Sequence, residues 1–159
     1  PSMIAPAYAT ILRALDENPL TDMDGKPVYI GMSHWIATSA EELDEIIAND
    51  SDGNYAVDSA LFSELLTCDY STFQDLTEGI DYDTMMANKE AYADTELVTL
   101  KDNYKIGVLL NDTTSQESLE YQAYAKYLAD RLYCNLLRIY RRYTDRGDEP
   151  DPDMGIRRL

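Results

Sequence analysis

Apolar residues recur at helical spacing through most of the chain. Residues 6–16, PAYATILRALD, predict a short amphipathic helix with Pro6 in its first turn and Ile11, Leu12 and Leu15 on one side. Residues 38–50, TSAEELDEIIAND, give the clearest helix. Ser39 and Glu42 form a capping box, and acids crowd the first turn, where the helix dipole favours them. Leu43, Ile46 and Ile47 are its expected buried side. VDSALFSELLTC, 57–68, predicts a helix with Leu61, Leu65 and Leu66 inward. STFQDLTEG, 71–79, predicts a shorter one stopped by Gly79, and 82–94 a further one. The longest expected helix runs from Gln116 to Tyr143, after the capping run Thr113-Thr114-Ser115. Its stripe is Tyr121, Tyr124, Ala125, Leu128, Leu132, Leu136, Ile139 and Tyr143.

The period changes in two places. PVYIGM, 27–32, reads as a short strand with Pro27 at its start. ELVTLKDNYKIGVLL, 96–110, favours two strands around an Asp102-Asn103 turn, a hairpin. Residues 144–159 have no period and carry two Pro and two Gly. The expected fold is therefore α+β and mainly α-helical. It has a small β-hairpin or sheet, a long C-terminal amphipathic helix and an extended C-terminal arm. The expected division is one acidic globular domain, 1–143, and an arm, 144–159. No internal repeat appears.

Charge adds a constraint that the pattern lacks. The chain carries 30 acids and 13 Lys plus Arg, a net charge of −17. Such a surface repels nucleic-acid phosphates and anionic membranes. The Asp-rich, Lys-poor balance also fits a high-salt habitat, where ions screen the repulsion. Tyrosine is abundant, 13 residues against 2 Phe and 1 Trp, which suits half-exposed surfaces and interfaces. Cys68 and Cys134 fit no metal or redox spacing and are expected to be buried reduced thiols. No apolar run reaches transmembrane length and no signal peptide is visible, so the expected location is the cytoplasm, or a virion assembled there. A start at Pro1 fits an initiator Met trimmed in that compartment.

The motifs that would carry chemistry are weak. Around NDSDGN, either register of a calcium loop fails: one places Ala48 first and Ser59 last, the other puts Tyr55 where Gly is needed. Four Asp-x-Asp pairs occur, at Asp22/Asp24, Asp50/Asp52, Asp81/Asp83 and Asp151/Asp153, and none follows a phosphate-binding loop. His34 is the single histidine; it reads as a half-buried residue packed beside Trp35, rather than as a catalytic base. No catalytic, cofactor or metal site is expected, and the chain reads as non-enzymatic.

The bases are unevenly placed. Residues 1–129 hold 24 acids and 6 bases, whereas residues 130–159 hold 6 acids and 7 bases. Arg131, Arg138 and Arg142 follow i, i+7, i+11 and would form one ridge on the long helix. Tyr127 and Tyr133 lie off its main stripe, and Arg157, Arg158 and Leu159 tip the arm. Local pairing with Asp130 and Asp145 is the simpler account of the ridge. The fuller account makes these eight residues partner-binding, with the ridge and tip of one subunit meeting the acidic body of the next. Such head-to-tail contacts close into rings or run into fibres. The layout, rather than any motif, resembles the small connector or adaptor subunits of tailed-virus particles, which pack as rings and extend terminal arms onto neighbours. That resemblance implies a structural virion protein, a homo-oligomer with protein partners and no direct contact with membrane or nucleic acid. The alternative is an acidic DNA mimic that inhibits a nucleic-acid enzyme through a stripe of Glu41, Glu45, Asp75 and Glu78.

Overall fold

The computed structural model describes residues 4–31, 36–51, 55–78, 83, 95–102, 104, 106–110, 114–133, 137–141 and 157–158. Helix α1 spans Ala5–Leu15. Its buried stripe is Ala5, Tyr8, Ala9, Leu12 and Arg13, a spacing of three and four, while Ile11 and Leu15 stay exposed. The helix ends in a Schellman motif. Asn18 N–H donates to the Arg13 carbonyl at 2.8 Å, Glu17 N–H to that of Ala14 at 3.4 Å, and Glu17 takes the left-handed turn at φ 61°.

That turn sets Arg13, only 5% exposed, against the end of helix α3, Ser59–Leu65. Its Nη1 donates to the carbonyls of Leu65 at 3.0 Å and Cys68 at 2.8 Å, and its Nε to that of Asn18 at 3.2 Å. The guanidinium is thus held by carbonyls at the negative end of a helix, with no carboxylate partner among the described residues. Burial pushes the half-buried Cys68 thiol up, and nearby Arg13 opposes the shift.

α3 is buried nearly all round. Asp58 caps it by accepting from Ala60 and Leu61 N–H at 3.0 and 2.9 Å. Leu61, Phe62, Ser63 and Leu65 are each at most 2% exposed. Helix α4, Tyr70–Glu78, adds Phe73 and Thr77, which are buried one turn apart. Residues 95–101 run over these helices without regular structure: Val98 N–H donates to Ser63 Oγ, and Lys101 N–H to Asp16 Oδ1 at 2.9 Å.

Helix α2, Ala40–Ser51, is well capped but not buried. Ser39 Oγ accepts from Glu42 N–H at 3.1 Å, while Glu42 Oε2 accepts from the N–H and hydroxyl of Thr38 at 2.7 and 2.9 Å. The capping box has therefore shifted its return bond by one residue. Leu43 and Ile47, expected inside, are 48% and 54% exposed.

Two caps carry a pH signature. The Thr38 bonds hold the Glu42 carboxyl below its ordinary 4.5, and the bonds from Thr72 hold Asp69, the cap of α4, below 3.8. A depressed carboxyl contributes stability that is present above its unfolded-state value and is lost as pH falls through its folded value. Melting temperature is therefore expected to fall more steeply below about pH 4.5 in the wild type than in the Glu42→Gln/Asp69→Asn double variant, which keeps neutral acceptors. Parallel curves in a thermal-melt series would remove these caps from the account.

The chain divides into two compact units, Pro1–Lys101 and Asp102–Leu159. The second unit contains helix α5, Gln116–Leu128, capped by Ser115 through Ser118 N–H at 3.3 Å, and a π-helical turn, Ala129–Tyr133. The strands among the described residues of this unit are β1, Ile106–Leu110, β2, Leu137–Arg141, and β3, Arg157–Arg158. β1 pairs with β2 in parallel, Ile106 opposite Leu137, and β2 pairs with β3 antiparallel.

These findings correct the α+β expectation. Every regular element whose side-chain burial is described is helical, in five α-helices and the π-turn, with no strand or sheet among them. No 96–110 hairpin is seen among the described residues. Its first arm gives amide hydrogens to Ser63 and Asp16 of the helical unit, so none is turned toward a neighbouring strand at those positions. The 27–32 strand reduces to a single bridge, Thr21 with Pro27, and Tyr70 Oη donates to the Tyr29 carbonyl at 2.9 Å. The long helix stops at Leu128; the π-turn breaks its register and Leu137–Arg141 is extended. The helix expected at 82–94 lies outside the described residues except for Asp83, and so do residues 144–156 and 159 of the expected arm.

Candidate interaction site

α5 is built from tyrosines at helical spacing. Tyr124 is fully buried with Ala125 and Leu128, the stripe that the sequence predicts. Half-buried Tyr121 donates its hydroxyl to Glu117 Oε1 at 3.0 Å, and burial with that carboxylate pushes its pKa up. Tyr127 stacks on Tyr124, with ring centroids 6.1 Å apart and planes 18° apart. The guanidinium of Arg131 lies over the outer ring, 4.6 Å from the Tyr127 centroid.

The neighbouring charges decide what Arg131 can do. Asp130, the obvious local partner, instead pairs with Lys126 one turn earlier. Arg131 is exposed and has no carboxylate partner among the described residues. Its fork is therefore oriented by stacking while its donors stay available to an incoming carboxylate.

The structure brings together Tyr127 and Arg131 among the expected partner-binding residues, but not the predicted ridge. Arg138 lies on β2 rather than on the helix of Arg131, as Cα partner of Arg158, with Ile139 opposite Arg157. Arg142 and Leu159 lie outside the described residues, and Tyr133 ends the π-turn. Sequence reasoning missed Leu119 and Ala123. Both are exposed and, with Tyr127, complete a row at spacing four. That spacing was the available signal.

The charge asymmetry follows the units. Residues 1–101 hold 20 acids and 4 bases, and residues 102–159 hold 10 and 9. The acids of the alternative stripe, Glu41 and Glu45 on α2 and Asp75 and Glu78 on α4, are all exposed. Asp22, of the first Asp-x-Asp pair, spends one oxygen on the backbone, accepting from Asp24 and Lys26 N–H at 2.9 and 2.8 Å in a turn completed by Gly25 at φ 75°. His34 and Cys134 lie outside the described residues. Among the described residues no group of three or more potential ligands is placed to hold a metal ion, and no helix is long and apolar enough to cross a membrane. No protein-family model matches the chain, and neither the curated proteins nor the solved structures include a significant match to it.

Proposed function

We propose that this chain is a non-enzymatic structural subunit of a larger assembly, of the connector or adaptor kind found in tailed-virus particles, which docks on neighbouring subunits through the arginines of its second unit. The observation that carries this reading is Arg131, stacked on Tyr127, exposed, and relieved of its local acid by Lys126. The asymmetry between an acidic first unit and a nearly neutral, arginine-bearing second one supports head-to-tail contacts, which build rings or filaments. Assembly in the cytoplasm, or in a virion formed there, goes with the reading.

Light scattering coupled to size separation tests it. The wild-type chain is expected to form a defined, salt-sensitive oligomer, alone or with a co-expressed partner. Arg131→Glu should weaken association at least about tenfold and leave the helical circular dichroism unchanged. Deleting residues 144–159 should also weaken assembly without unfolding the helical unit. A wild-type monomer that ignores every co-expressed partner would overturn the reading.

A DNA mimic is the second reading, favoured by α2, which has four acids in its first six residues and no base along its length. Salt-sensitive binding to a DNA-binding enzyme, competed by duplex DNA, would select it.

A further inference from the structure

We infer that the exposed face of α2 is the surface on which the α5 row of a second copy of this chain docks. The inference rests on the assembly reading and deepens it, because it names what the arginine meets. α2 has the Leu43, Ile46, Ile47 spacing of a core helix, yet none of residues 40–49 is buried. Its apolar row therefore stands in water, at the cost that apolar surface always carries there. Around it lie Glu41, Glu42, Asp44 and Glu45, and the helix carries no base. An occupant must therefore bring positive charge together with apolar surface.

The described bases of the first unit are otherwise engaged. Arg13 is buried on carbonyls, Lys26 pairs with Asp24, and Lys101 pairs with Glu17. The second unit offers a match. Leu119, Ala123, Tyr127 and Arg131 recur every four residues along α5 and its π-turn, and all are exposed or half-exposed. Leu43 and Ile47 are likewise four apart on α2. Two helices with rows at spacing four interdigitate ridge into groove, the commonest helix packing in globular proteins. Ala123, small and central, lets the partner helix approach, and Arg131 at the end of the row reaches the Glu41 and Glu45 rim. The two patches differ, so each copy offers one of each, and the contact is heterologous.

Two full-length variants test this: Glu41→Lys/Glu45→Lys and Arg131→Glu. Every changed residue is exposed, and circular dichroism checks that each variant folds. By sedimentation velocity, the wild type is expected to self-associate beyond a dimer. Each variant alone should be at least about tenfold weaker. An equimolar mixture should recover association, because the intact α2 of one variant meets the intact α5 row of the other and the two reversed patches are again opposite in charge. If the α2 variant associates like the wild type while Arg131→Glu does not, the inference fails and the assembly reading stands with another acceptor. If the wild type stays monomeric alone but binds a different co-expressed subunit through Arg131, the second-copy occupant is overturned while the reading again survives.

Discussion

Arg13→Ala should lower the unfolding free energy of the first unit by about 3–4 kcal/mol, since one buried and one partly buried carbonyl acceptor lose their donor, at about 1–3 kcal/mol for a fully buried one, and the stem packing is lost as well. The guanidinium donates to Leu65 and Cys68, more than fifty residues away in sequence, and no water-exposed route replaces those bonds at a residue 5% exposed. In urea the midpoint is expected to fall by about 2 M, taking a slope of about 1.5–2 kcal/mol per M. Two further variants separate the causes. Arg13→Met keeps the stem and loses the donors, so it should recover only part of the loss. Arg13→Lys keeps the charge but lacks the planar fork, so it should satisfy one carbonyl and fall between. A midpoint for Arg13→Ala within about 0.5 M of wild type would mean that the end of α3 is satisfied some other way.

Phe62→Ala should cost about 3–5 kcal/mol, the range for deleting a buried aromatic ring. Phe62 and Phe73 are the chain's two phenylalanines, and both are fully buried. Phe62 lies on the helix that is enclosed on nearly every side, so its neighbours have little room to collapse into the space left. The comparison is Ile47→Ala on α2, expected to change stability by less than about 0.5 kcal/mol because the residue is half exposed. Chemical denaturation followed by circular dichroism reads both. Equal losses at the two positions would contradict the assigned centre of the core.

The contrast between these helices shows what the sequence made legible. α3 was read correctly: Leu61, Leu65 and Leu66 are all inside, because large apolar residues and burial coincide there. α1 exists where expected, but its buried face is rotated. Ile11 and Leu15 drew the reading by size, whereas the true stripe pairs small Ala5 and Ala9 with Tyr8, Leu12 and a charged Arg13. An arginine whose acceptors lie beyond residue 60 cannot be recognised from its own helix. The caps at Ser39 and Ser115 were legible because they are local. The hairpin and the long helix were not, because β1 pairs with a segment about thirty residues away, and Leu137–Arg141 has residue types that tolerate either state. Of the candidate site, Tyr127 and Arg131 were named from the sequence. Their stacking, and the diversion of Asp130 to Lys126, required coordinates.

The return bond from Glu42 to Thr38 has a consequence in time as well as in space. A helix fixed at its start, with none of residues 40–49 buried, opens without dragging the core with it. Its amide hydrogens should exchange well before those of α3, as a separate cooperative segment of low opening energy. Fraying is then a step available to the native chain, and anything that covers α2 slows its exchange selectively. The rate at which those amides trade with solvent becomes a clock for occupancy of that face, readable in the intact molecule without a label.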